Sequence, residues 1–107
     1  MKMIVSIVNS SDARRLTDAL MREGYHATEI STTGGFLRQG NATILIGTED
    51  VNVDDVLGII RSHCHARTEH VYPSPPVLQD RFLPPAVDVP VGGAVVFVLS
   101  VDRAERF

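Results

Sequence analysis

Residues 92–101, Gly92-Gly93-Ala94-Val95-Val96-Phe97-Val98-Leu99-Ser100-Val101, decide how the rest of the chain is read. After the glycine pair the run is apolar at both parities, with Val95, Phe97, Leu99 and Val101 on one side and Ala94, Val96 and Val98 on the other. Such a strand wants cover on both faces, since buried apolar surface is worth about 25 cal/mol per Å². All six prolines lie just upstream, from Pro73 to Pro90. The region from about 66 to 88 is therefore expected to be a long loop that neither continues a helix nor enters the middle of a sheet. Before it, Asn52 is a candidate helix cap, and Asp54 and Asp55 suit the positive helix end. Val53, Val56, Leu57, Ile60 and Cys64 share one stripe, which predicts a helix from about Val53 to Cys64.

Toward the N-terminus, Met1, Met3, Val5 and Ile7 alternate with Lys2, Ile4, Ser6 and Val8, and both sets contain apolar residues, as an interior strand requires. Ser10, Ser11 and Asp12 offer cap oxygens to a helix carrying Ala13, Leu16, Ala19 and Leu20 and closed by Gly24. Thr28, Ile30, Thr32 and Thr33 favour extended chain, and Ala42-Thr43-Ile44-Leu45-Ile46 is a second β-type run, so the two read as a hairpin. The order is β-α-β-β-α-β, the split motif of ferredoxin-like α+β folds, with a four-stranded antiparallel sheet and two helices on one face. That arrangement leaves the other face open. With no second domain in the chain to cover it, homo-oligomerisation is expected.

The 107 residues, 44% hydrophobic and 21% charged, suit one domain over 1–107. No apolar run approaches the roughly 20 residues of a membrane span, and the N-terminal run is too short and unflanked for a signal peptide, so a cytoplasmic protein without membrane insertion is expected. A single cysteine, Cys64, excludes an internal disulfide framework. The net charge of -3 and the lack of a Lys/Arg cluster argue against DNA or RNA as partners.

Between the hairpin strands lies Thr32-Thr33-Gly34-Gly35-Phe36-Leu37-Arg38-Gln39-Gly40-Asn41. Glycines let the backbone approach a ligand, hydroxyl and amide groups at Thr28, Thr32, Thr33 and Asn41 can bond to it, and Phe36 offers a flat face for a base. These are parts of a nucleotide pocket, although a plain turn needs several of the same residues. Neither a Walker loop nor a dinucleotide fingerprint is present. His63, Cys64, His65 and His70 are metal-ligand types, but residues two apart on a helix diverge by about 200°. Glu49, Asp50, Asp54 and Asp55 read as helix-start and turn acids, and no nucleophile–base pair can be named, so no enzyme is expected.

Lys2–Val8, Ala27–Asn41 and Val91–Leu99 together resemble the PII-like receptors of cyclic di-AMP, over nearly the whole chain except the Pro-rich loop. The resemblance implies a PII-like homotrimer that binds cyclic di-AMP in clefts between subunits. It also implies a signalling role without catalysis or a cofactor. Carried over by position, it implies ligand contacts from Thr28, Gly35, Phe36, Leu37, Asn41 and Gly47, with Phe97 lining the cleft. Two departures stand out. His26 occupies the position before Ala27-Thr28 where the family usually has arginine, exchanging a fixed cation for a titratable one. Tyr72-Pro73-Ser74-Pro75-Pro76 and Phe82-Leu83-Pro84-Pro85 replace the family's glycine-containing turn and tyrosine-rich end. The resulting expectation is a sensor whose loops 33–41 and 66–88 change order to control a downstream protein. The alternatives are a PII-like regulator of another adenine nucleotide, a structural oligomer that grips a protein through 66–88, and a metal-sensing trimer using His63, His65 and His70.

Overall fold

The alternating pattern of the chain produces β1 (Lys2–Asn9), α1 (Ser10–Arg22), β2 (Ala27–Thr32), β3 (Asn41–Thr48), α2 (Val53–Cys64), β4 (Arg67–Val71), β5 (Val87–Val91) and β6 (Ala94–Ser100). The computed structural model describes residues 1–32, 40–71 and 87–107, and of residues 31, 32, 69–71 and 87–91 it describes the backbone alone. β1 is flanked by β3 and β6, both antiparallel to it, and β2 completes the sheet in the order β2-β3-β1-β6. With α1 and α2 crossing between strands, this is the expected α+β, ferredoxin-like arrangement.

One face of the sheet carries the core. Ile4 and Val8 of β1, Ala42, Ile44 and Ile46 of β3, Ala13, Leu16 and Leu20 of α1, and Val56, Ile60 and Cys64 of α2 form a single buried cluster. Ser6 lies on the same face with no exposed surface, and its Oγ finds no hydrogen-bond partner among the described residues. The α1 stripe matches its spacing, but the cap is Asn9 rather than Ser10, Ser11 or Asp12. The Asn9 side chain accepts from the Ser11 amide at 3.0 Å, so the helix already starts at Ser10, the first of the expected cap residues. Asn52 occupies the cap position of α2 without a side-chain cap bond, because a 3-10 turn over Asp50–Asn52 leads into that helix instead. The Tyr25 hydroxyl donates to Asp55 at 2.5 Å and ties the approach to β2 to the first turn of α2. That bond raises the Tyr25 phenol above its ordinary pKa.

The largest departure lies in the region expected to be a loop over about 66–88. Its two ends are strands: β4 and β5 pair antiparallel from Arg67↔Val91 to Val71↔Val87, and Pro90 stands opposite Thr68. Proline is barred from the middle of a sheet because it lacks an N–H, but a two-stranded ribbon consists of edges, where that loss is tolerated. The prolines from Pro73 to Pro85 lie outside the described residues.

The root of this ribbon is pinned by charge. Asp12, in the first turn of α1, has no exposed surface and accepts from Arg15 Nη2 at 2.5 Å and Arg67 Nη2 at 3.0 Å. A buried carboxylate is tolerable only when paired in this way. Gly92 and Gly93 return the chain into β6 with φ of +77° and +86°, in the left-handed region that glycine alone enters readily.

Two substitutions test this account of the core. Leu16→Ala, at a fully buried position, should lower unfolding stability by about 2–5 kcal/mol. Ser6→Ala, which removes a buried hydroxyl without a described partner, should leave stability unchanged or raise it by about 1 kcal/mol. Chemical denaturation of the purified variants checks both, and a marked loss from Ser6→Ala would show that the hydroxyl has a partner.

Candidate functional site

The face of the sheet opposite the helices is lined by Met3, Val5 and Ile7 of β1, Thr43 and Leu45 of β3, Thr28 and Ile30 of β2, and Val95, Phe97 and Leu99 of β6, as the alternation about the buried residues requires. In the single chain Ile30 and Phe97 are each 43% exposed and Leu99 51%. This is an apolar surface without cover from the chain's own helices. β6 was expected to be buried on both sides. Its second half is exposed instead, including Val98 on the helix side, because β6 is an edge strand of which only the first half, at Ala94 and Val96, packs against the helix-covered core.

Four of the expected ligand residues fall on strands of this sheet. Thr28 is opposite Leu45, Leu45 opposite Val5, and Val5 opposite Phe97, so Thr28 and Phe97 share one row across the sheet. They sit at its two ends, three interstrand steps or about 14 Å apart. Gly47 is exposed and stands opposite Met3 on the next row, where an added Cβ would meet only the tip of the Met1 side chain at 3.3 Å. Packing among the described residues therefore does not explain the glycine. Asn41 begins β3 opposite both Thr32 and Asn9 and is buried. It shares the parity of Thr43, Leu45 and Gly47. His26 is exposed and immediately precedes β2, and continuing the register by one residue brings it opposite Gly47. Gly35, Phe36 and Leu37 lie outside the described residues. One subunit thus brings Thr28, Asn41, Gly47 and His26 to the β2–β3 side of the sheet and leaves Phe97 at the opposite edge.

A cavity of about 400 Å³ opens elsewhere, between the C-terminal half of α2 and the start of β6, lined by Leu57, Ile60, Cys64, Ala66, Ala94 and Val96 with Arg61 and His65 at its polar side. It shares no residue with the open face. Near it, the metal-ligand types part company: Cys64 points into the core, His65 is exposed beyond the helix end, and His63 Nδ1 lies 2.9 Å from the Ile59 carbonyl. Among the described residues no group of three or more His, Cys, Asp or Glu gathers in a metal-binding arrangement. Asp54 and Asp55 sit in the first turn of α2, as expected of helix-start acids.

A known family, whose description is Cyclic-di-AMP receptor, matches residues 1–107. The chain belongs to the cyclic-di-AMP receptor family. It is also similar to a functionally unknown protein from Pediococcus pentosaceus ATCC 25745, known from a crystal structure. The two share 42% sequence identity over 99% of this chain and 96% of that one, with a TM-score of 0.79. The family is one of ligand binding and signalling rather than of enzymes, and cyclic di-AMP is its ligand. Among the described residues no helix is long and apolar enough to cross a membrane.

Sequence reasoning missed the ion pair of Asp12 with Arg67. Asp12 read as a cap candidate, and nothing in the spacing from residue 12 to residue 67 links them. The available signal was Gly92-Gly93, whose two positive φ angles serve the close approach of the ribbon root.

The thiol supplies a test of this packing. Burial, with the nearby Asp12 charge second, pushes the Cys64 thiol up from 9.0 to about 11. At pH 8 only roughly one thiol in a thousand is ionised, so native protein should resist a thiol reagent that labels it at once in denaturant. Between pH 9 and about 11 the unfolded chain sheds this proton first, so stability should fall as pH rises through that window. Rapid labelling of folded protein at pH 8 would contradict the burial.

Proposed function

We propose that the protein is a non-enzymatic, cytoplasmic receptor that binds cyclic di-AMP in clefts between the subunits of a PII-like homotrimer. Each chain acts as one domain over residues 1–107. The observation that carries this reading is the family match over the whole chain. The open apolar face supports it, since an uncovered patch on one chain marks an interface. So does the separation of Thr28 from Phe97. A ligand bonded at the β2–β3 side meets a Phe97 side chain most readily when that side chain comes from a neighbouring subunit.

In this reading Phe36 packs on an adenine, the Asn41 amide reads a base edge, and Thr28 with the backbone at Gly35 holds a phosphodiester oxygen. Leu37 adds apolar contact, and Gly47 keeps the surface free of a Cβ where the nucleotide lies. Phe97 closes the cleft from β6, and His26 faces a phosphate. Binding selects one arrangement of segment 33–41 and of the long segment at about 66–88, and thereby controls a downstream protein. The ligand shifts this equilibrium only by as much as its affinity differs between the two arrangements.

Two experiments test the reading. Light scattering should return the mass of three chains, and calorimetry should show cyclic di-AMP binding in preference to ATP and AMP. Phe36→Ala and Asn41→Ala should each weaken binding by about tenfold or more, as loss of a stacking or base-edge contact does. Tight binding untouched by both substitutions would sink the site, and preference for AMP or ATP would favour the other adenine-nucleotide regulator. The His26 contact makes its own forecast. His26→Arg, which sets a fixed cation facing the phosphate, should strengthen binding, and His26→Ala should weaken it. A dissociation constant unchanged by both substitutions removes the contact.

A further inference from the structure

The first turn of α1 touches the roots of two different segments. The Ser10 amide donates to the Gly40 carbonyl at 2.8 Å, directly after residues 33–39. Two residues on, the Asp12 carboxylate receives Arg67, the first residue of β4, through Nη2 on Oδ1 at 3.0 Å and Nη1 on Oδ2 at 3.4 Å. The turn between these arms is stiffened by Asn9, whose Oδ1 accepts from both the Ser11 amide at 3.0 Å and the Ser11 hydroxyl at 2.7 Å. Asn9 also stands opposite Asn41, the residue after Gly40.

The ribbon side has equally little slack. A Cβ on Gly92 would lie 2.5 Å from both Arg67 Nη1 and the His65 carbonyl oxygen, and 3.3 Å from Asp12 Oδ2. The outgoing strand and the returning chain therefore close on the same carboxylate. On the other arm, a Cβ at Gly40 would stand 3.1 Å from Ser10 Oγ. Arg67 cannot leave without taking a charged partner from a carboxylate that has no exposed surface, with Arg15 then its one cation among the described residues. Gly40 cannot shift without breaking its bond to Ser10 or carrying Ser10 with it.

We infer that the turn Ser10–Asp12 is a mechanical junction between the segment ending at Gly40 and the β4–β5 ribbon, with Asp12 and Arg67 as the positioning residues. A displacement at Gly40 reaches Arg67 through one turn of helix, and the reverse holds by linkage. The inference rests on the proposed function only for its signalling meaning: a ligand held beside Asn41 is felt at the ribbon, away from the ligand itself.

Amide hydrogen exchange on the full chain tests the junction without any ligand. Arg67→Gln should speed exchange of the Ser10 amide, on the far arm, by about tenfold or more, and Arg67→Lys should restore part of the protection. Gly40→Ala, acting from the other side, should speed exchange of the Thr68–Val71 amides. Loosened ribbon amides with an unchanged Ser10 amide in Arg67→Gln would overturn the junction. In the wild-type protein, saturating cyclic di-AMP should slow exchange along β4 and β5, and Arg67→Gln should erase that effect. Binding without any change at the ribbon overturns the transmission while the receptor reading stands. Absence of binding overturns the receptor reading, and the ligand-free comparison still decides the junction.

Discussion

Two helices must cover a four-stranded sheet, and they can cover only one side of it. The open face of the sheet follows from that shortage. The helix-facing residues Ile4, Val8, Ile44 and Ile46 are sealed under α1 and α2. The opposite face, with Ile30, Phe97 and Leu99, has no such cover among the described residues. At about 25 cal/mol per Å² this surface is a standing drive toward association. The surface best suited to hold subunits together thus adjoins the residues proposed to hold a nucleotide. The proposed trimer would couple assembly to binding, because a cleft whose walls come from two copies exists only in the assembly.

A second constraint acts at the helix N-terminus, and it is electrostatic where the first is hydrophobic. The dipole of α1 favours a carboxylate in its first turn. Asp12 serves the dipole while lying at the base of the ribbon, and its burial demands cations. Arg15 comes from the same helix and Arg67 from fifty-five residues away. Only the second has structural reach. It converts a local feature of one helix into an anchor for β4, and the left-handed Gly92 is the backbone consequence of packing a returning chain against it.

What could be read from the sequence divides along the same line. The stripe of Leu16 and Leu20, the alternation through β1 and the two-sided apolarity of residues 94–99 are periodic signals, and the ferredoxin-like order follows from them. The shared face of Thr28, Gly47 and Phe97 follows from parity once the strands are placed. Their distribution across the sheet does not, because strand order is a property of pairing that periodicity leaves open. The β4–β5 ribbon was hidden for another reason. Arg67-Thr68-Glu69-His70-Val71 is short and lacks apolar alternation, and Pro90 in β5 carries the mark of a loop. Asn9 was passed over as a cap because Ser10, Ser11 and Asp12 offered cap oxygens just after it, and it does both tasks, ending β1 and starting α1.

The position of His26 shows how such a scaffold admits change at the site without change in the fold. The residue is exposed and precedes β2, contributing nothing to the buried cluster, whereas neighbouring Tyr25 packs against that cluster and is bonded to Asp55. An exchange of arginine for histidine there therefore disturbs no packing among the described residues of its own chain and acts through charge. The same holds for Gly47, whose lack of a side chain is not demanded by the described residues of its own chain. Residues that the fold does not constrain yet that line the open face are the ones through which ligand preference can be tuned. Asp12, Arg67 and Gly92 are constrained by the fold on every side, so they are suited to transmit a change rather than to select the ligand.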